Sequence, residues 1–300
     1  MITAVLAAVF IWCLFFGKIQ LPFLISICAM SVAFVANFGA HRHMNVLSID
    51  VIAQMSPLKN INPILKFWTL LVLIVICVAS INSLTGVFVT AIMFVLVVFA
   101  GGLSLHYYMH IMALPISFLL LGGLALLFNV SSEPAGVLNL QVFWFWLSVS
   151  AKSQTQTMLI VSRAFGSISC LCLLSVTTPM PDIIGVLRRV RCPALITDLM
   201  YLIYRYIFIL LSLHHEMHNA ARSRHGFRDY RTSLRSAGNI YANLFARSYQ
   251  FAYKNFDAME SRCYDTGIRF LERRSNLTAT QVFVSAALLI ATLYLSLLPL

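Results

Sequence analysis

The chain has 300 residues, 60% hydrophobic and only 10% charged, where a soluble domain carries about 25% charged residues, and its mean hydropathy is +0.86. That composition excludes an ordinary soluble enzyme and makes the membrane the first question. The net charge of +11 is concentrated: residues 188–274 hold 15 Lys or Arg against 7 Asp or Glu, which is +8 of the total.

Spans need roughly twenty apolar residues. Residues 2–16 are short for one and residues 19–38 are adequate, with Lys18 marking the turn between them. The start is apolar at once and lacks a basic stretch, so a retained first span is expected rather than a cleaved leader. Residues 64–81 and 84–103 follow, separated by Asn82-Ser83. Residues 111–130 come next, with Pro115 near their start and Gly122-Gly123 in the middle, where small residues permit close helix approach. Residues 137–149 are rich in Phe and Trp but short, and read as a re-entrant or interfacial segment. Residues 158–176 span again and contain Arg163. Residues 279–298 close the chain.

Between the last two spans lies the basic block, which the positive-inside rule places in the cytoplasm. Counting back from it puts the loop of His41, Arg42, His43, Lys59 and Lys66 inside and the loop around Glu133 outside. The block lacks nucleic-acid motifs, which leaves anionic lipid or an acidic protein as its partner. Thr178-Pro179-Met180-Pro181 breaks the preceding span, and residues 182–190 read as a short amphipathic helix. Pro193 opens a longer helix that carries Asp198 and Arg205 two turns apart. Along it Tyr206, Leu210, Leu213, Met217 and Ala220 advance by 4, 3, 4, 3. Phe245, Tyr249, Ala252, Phe256 and Met259 repeat that spacing, so two helices that pack across each other are expected.

Each stripe runs into an arginine station, Ser223-Arg224-His225 and Ser261-Arg262-Cys263. Cations near a helix C-terminus compensate the macrodipole by about 0.3–1 kcal/mol. Two matching stations also suit docking onto carboxylates, which the planar guanidinium grips with two hydrogen bonds. Arg163 within a span reads either as a functional group or as a helix–helix hydrogen bond. His214, His215 and His218 surround Glu216, but the spacing fails the His-Glu-x-x-His zinc pattern. Five of the seven cysteines (Cys13, Cys28, Cys77, Cys170 and Cys172) sit in apolar runs with no metal-ligand spacing. No metal site, cofactor or catalytic residue is expected, and no phosphate-binding loop is present to hydrolyse ATP.

From about Asp50 to Glu272 the chain resembles the T component of an energy-coupling-factor (ECF) transporter, a CbiQ-type subunit of the cobalt branch. The two stations correspond to the family's Ala-Arg-Gly signatures, with both arginines kept and the glycines replaced by His225 and Cys263. Further similar stretches run from Ile49-Asp50 through Ser56-Pro57-Leu58-Lys59 to Lys66, over Leu114-Pro115-Ile116-Ser117, from Arg163 to Met180, and over Leu202-Ile203-Tyr204-Arg205. The resemblance implies an all-α polytopic bundle in the cell membrane with cytoplasmic amphipathic coupling helices. The chain is read as an apolar hairpin (1–48), which is not a family hallmark, a transmembrane core (49–181), a coupling region (182–275) and a closing helix (276–300). The resemblance further implies a non-catalytic scaffold of an ABC-type importer that joins cytoplasmic ATPases to a membrane S component which binds substrate. Arg224 and Arg262 would dock the ATPases, with Ser223, His225, Ser261 and Cys263 shaping the tips; Arg163, Asp198 and Arg205 would serve structure or coupling. Cobalt uptake for corrinoid synthesis is the expected role. Nickel or a vitamin, an intramembrane enzyme using Arg163, His106, His110 or the His214–His218 cluster, and a lipid-bound anchor are the alternatives.

Overall fold

A computed structural model describes residues 2–15, 53–131, 138–142, 145–264 and 278–298. The helices are α1 (Ile2–Phe15), α2 (Pro63–Ala79), α3 (Ser83–Val95, extended by a π-helical turn Leu96–Ala100), α4 (Leu105–Leu127), α5 (Ala151–Thr177), α6 (Met180–Arg189), α7 (Ala194–Ser223), α8 (Tyr230–Glu260) and α9 (Ala279–Leu297). Among the described residues, five helices are long and apolar enough to cross a membrane: α3 with its π turn, α4, α5, α7 and α9. The protein is an all-α polytopic membrane bundle, and α2, at 17 residues, is a shorter apolar member. The expected span over residues 19–38 lies outside the described residues. The chain divides into two compact units, Met1–Pro179 with Ser275–Leu300, and Met180–Arg274.

In the first unit, α3 and α5 approach closely because small residues face each other. A Cβ added to Gly86 would overlap the Ser162 carbonyl, and one on Gly166 would overlap Cys77 Sγ and lie 3.2 Å from Gly86 Cα. In lipid, where apolar burial drives little association, such backbone proximity lets packing do the work. Leu70, Leu73, Val89, Met93, Cys170 and Val176 fill the surrounding core. Of the glycine pair on α4, Gly123 lies against the ring of Phe10 from α1, whereas Gly122 has open space beside it.

Several helix C-termini in this unit are closed by side-chain donors from elsewhere in the chain, as an environment poor in water requires. Lys66 Nζ, 7% exposed, donates to the Thr177 carbonyl at the end of α5 (3.2 Å), to Thr177 Oγ1 (3.1 Å) and to the Leu58 carbonyl (3.0 Å). Ser153 Oγ reaches the last carbonyl of α4, Leu127 (3.3 Å), and Gln154 Nε2 the Cys13 carbonyl near the end of α1 (3.1 Å). Ser56 Oγ reaches Gly101 O beyond the π turn (3.2 Å), and Asn82 Nδ2 the Leu295 (3.4 Å) and Leu298 carbonyls at the end of α9.

Two expectations need adjustment. The short aromatic segment expected to be re-entrant or interfacial is extended where it is described, over Leu138–Val142 and Phe145–Val149. These stretches form β2 (Leu138–Val142) and β3 (Phe145–Val149), which with β1 (Asn129–Ser131) make a small antiparallel sheet ordered β1-β3-β2. Leu138 pairs with Val149 and Asn129 with Ser148. The alternation Leu-Asn-Leu-Gln-Val carries a period of two, the strand signal that an apolar-length criterion overlooks. Second, α5 begins at Ala151, about two turns before residue 158. Ser150 and Ser153 form a capping box there, and the polar run from Lys152 to Thr157 hides these turns from a hydropathy reading.

Candidate docking tips on α7 and α8

The second unit contains α6, α7 and α8, and each helix ends in the same way. At the end of α7, His225 N–H donates to the Arg222 carbonyl (3.1 Å) and Gly226 N–H to the Ala221 carbonyl (2.9 Å). After α8, Cys263 N–H donates to Glu260 O (2.9 Å) and Tyr264 N–H to Met259 O (3.1 Å). After α6, Arg191 N–H donates to Arg188 O and Cys192 N–H to Leu187 O, both at 3.2 Å. These paired bonds define Schellman motifs, whose reversing residue is left-handed. His225 and Cys263 both have φ 55°, and Arg191 has φ 65°. Glycine adopts that conformation without strain, while other residues pay about 1–2 kcal/mol. The two positions where the family pattern carries glycine are therefore the two left-handed positions at these tips.

Arg224 and Arg262 each immediately precede the reversal, and all six station residues, Ser223, Arg224, His225, Ser261, Arg262 and Cys263, are exposed. The serine hydroxyls turn back onto their own helices, Ser223 to Asn219 O (3.0 Å) and Ser261 to Ala258 O (3.1 Å). Asp229 and Thr232 form a capping box that restarts the chain as α8. Ser236 Oγ on α8 donates to Gly226 O (2.8 Å), so the first tip sits beside the opening turns of α8. The second tip ends the same helix. At 1.5 Å per residue, the 31 residues of α8 separate the stations by roughly 45 Å.

The two helices meet near this hairpin base. The ring of His214 stacks on Tyr241 (centroids 5.6 Å apart), and that of His218 on Phe227 (4.7 Å). The histidine cluster is thus built into aromatic packing, and among the described residues no group of three or more His, Cys, Asp or Glu could hold a metal ion. The predicted seam is only partly used. Phe245, Tyr249 and Phe256 are 75%, 58% and 62% exposed, while Met259 is half-buried. Tyr249 and Tyr253 share a hydrogen bond of 2.9 Å, which raises the Tyr249 pKa above its ordinary value.

The remaining candidates are dispersed. Asp198 is buried in the second turn of α7, while Arg205 on the same helix is exposed. Arg163 lies midway along α5 in the other unit; its carbonyl accepts from Ser167 Oγ (2.9 Å) and Cys77 Sγ (3.5 Å), and its Nε is buried without a hydrogen-bond partner. His106 is exposed and His110 half-buried on α4. The part played by Lys66 escaped sequence reading, because a lysine beside a loop looks like a topology marker, not a cap. The third left-handed tip, at Arg191, also went unread: Val190-Arg191-Cys192 lacks both the serine and the glycine that flag the other two.

A model of the cobalt transport protein family CbiQ matches residues 54–273. The chain belongs to the CbiQ family. Among its relatives, an uncharacterized protein of Methanocaldococcus jannaschii is 29% identical over 76% of this chain and 84% of its own length. A putative fused cobalt transport protein CbiMQ of Methanocorpusculum labreanum is 27% identical over 82% of this chain and 41% of that protein. The cobalt transport protein CbiQ of Rhodobacter capsulatus is 25% identical over 77% of this chain and 90% of that protein. As a CbiQ member with these apolar helices, the chain is a multi-pass membrane component of cobalt transport.

Proposed function

We propose that this CbiQ-family chain is the coupling scaffold, the T component, of an ATP-driven ECF importer that brings in cobalt ion for corrinoid synthesis. The observation that carries the reading is the pair of exposed arginines, Arg224 and Arg262, each held at a left-handed helix end on opposite ends of α8. Partner carboxylates at two docking points roughly 45 Å apart suit a pair of cytoplasmic ATPases better than one small ligand. A rigid 31-residue helix between the points carries displacement from one to the other, which a coupling element must do. ATP hydrolysis belongs to those partners, and substrate recognition to a membrane S component. The relative named as a fused cobalt transport protein CbiMQ supports a second component held beside a CbiQ chain.

The test is ATP-dependent uptake of radiolabelled cobalt into proteoliposomes holding this chain with its ATPases and S component. Arg224→Glu/Arg262→Glu should abolish uptake, while Glu216→Gln, away from both tips, should leave it intact. Uptake retained by the double Glu variant contradicts the coupling role. Uptake of nickel or a vitamin in place of cobalt transfers the scaffold to another substrate.

A further inference from the structure

Two cavities of the first unit join into one groove along α3 and α5. The outer one, of about 440 Å³, lies where both helices begin, against Asn82, Lys152, Thr155 and Gln156. The deeper one, of about 460 Å³, runs on between α3, α4 and α5, past Val87 and Ala91. Ser83 and Met158 line both. On α5 the groove follows Thr155, Met158, Ser162, Phe165 and Ser169, and on α3 it follows Ser83, Val87, Thr90 and Phe94. Each series advances by threes and fours, which is one face of a helix. Since α3, α4 and α5 are membrane spans, the groove lies within the depth of the bilayer.

Its two ends differ in chemistry. At the mouth Lys152 and Gln156 are exposed, and α1, α3, α4 and α5 carry no Asp or Glu that could pair with the lysine. Deeper in, the hydroxyls are spent on backbone carbonyls: Thr90 Oγ1 donates to Gly86 O (2.7 Å), Ser169 Oγ to Phe165 O (2.8 Å) and Ser162 Oγ to Ser83 O. The walls that remain are apolar, which suits a hydrocarbon occupant over an ion or a hydrated solute. Dimensions narrow the choice further. Thr155 to Ser169 spans about 21 Å along α5, the depth of one leaflet with its headgroups, half of roughly 40–45 Å. The deeper 460 Å³, spread over the roughly 16 Å from Met158 to Ser169, leaves a section of about 30 Å², whereas a helix about 10 Å across fills roughly 80 Å². The groove admits a hydrocarbon chain and is too narrow for a partner's helix.

We infer that the α3–α5 groove is a binding site for one phospholipid. Lys152 holds the headgroup phosphate at the mouth, and one acyl chain runs inward past Met158, Val87 and Ala91 toward Ser169. The site is independent of the ATPase-docking reading and shares no residue with the arginine stations.

The full-length chain would be reconstituted in phosphatidylglycerol nanodiscs, extracted in detergent and weighed by native mass spectrometry. Wild type should retain one phosphatidylglycerol. Val87→Trp/Ala91→Trp, which fills the groove, should lower the retained fraction about tenfold. Val95→Trp, at a 50% exposed position of the same helix outside the groove, should leave it unchanged. Lys152→Gln should lower it about fivefold through loss of the phosphate contact. Retention by the double Trp variant or by Lys152→Gln equal to wild type overturns the site. Because bulk within a bundle can disturb folding, a second reporter leaves the lysine and the spans in place: Val87→p-benzoylphenylalanine, irradiated in the complex assembled with its other subunits. An adduct with the mass of one phospholipid is expected. A crosslink to another subunit, or no lipid adduct, rejects the proposal.

Discussion

His225 and Cys263 occupy equivalent backbone positions: each has φ 55°, each closes a Schellman motif, and each directly follows an exposed arginine. The turn aims the chain away from the helix axis just after Arg224 and Arg262. The two arginines therefore stand at the extreme ends of their helices, with the strain stored one residue later.

That strain is removable. His225→Gly and Cys263→Gly should each stabilise the chain by about 1 kcal/mol, seen as a rise of a few degrees in the unfolding midpoint in detergent. Cys263→Val should do the reverse, because a β-branched side chain tolerates the left-handed region poorly. A lower midpoint for both glycine variants would contradict the assigned turn geometry.

Lys66 should be worth more than its place beside a loop suggests. Lys66→Met strands the Thr177 carbonyl at a buried helix end, at a cost of about 1–3 kcal/mol. Thr177→Val removes only the hydroxyl acceptor of Lys66 and should cost less. Thermal unfolding of the two variants, measured side by side, checks the order; equal losses would place the energy in the threonine hydroxyl.

The α3–α5 crossing makes a sharper contrast. Gly86→Ala and Gly166→Ala each force overlap with a neighbouring helix and should destabilise by about 1–3 kcal/mol. Gly122→Ala, with open space beside it, should be neutral or mildly stabilising. Size-exclusion profiles and expression levels of the three variants separate these outcomes. A well-behaved Gly166→Ala protein would deny the close approach.

Much of this architecture was legible because apolar run length marks membrane helices well, and Pro193 marks the start of α7. The arginine stations were readable as serine–arginine pairs at the ends of two stripes. Their left-handed turns were not, since His225 and Cys263 are not residues that announce a helix reversal. Gly122-Gly123 illustrates the limit of composition: two adjacent glycines look alike in sequence, yet only Gly123 meets another helix, because neighbouring residues on a helix point about 100° apart. Lys66 was hidden for a related reason. Its acceptor lies 111 residues away, a pairing that no local pattern encodes.

Cys263 supplies a native probe of the second tip. It is exposed, whereas Cys77, Cys170 and Cys172 are buried. A maleimide should label Cys263 quickly in the isolated subunit and at least about tenfold more slowly once the ATPases are bound, because a residue inside a docked interface loses access to reagent. Mass spectrometry of the labelled peptide gives the rate. Unchanged labelling in the complex would remove this tip from the interface.

The most direct measurement is affinity purification of the tagged chain, co-expressed with its ATPases and S component, in three forms. These are wild type, Arg224→Glu/Arg262→Glu and Arg224→Lys/Arg262→Lys. The docking account predicts that wild type captures the ATPases, that the Glu form loses them while keeping the S component, and that the Lys form, with its charge but without the planar fork, captures them weakly. Undiminished capture by the Glu form, or capture by the Lys form equal to wild type, would contradict it.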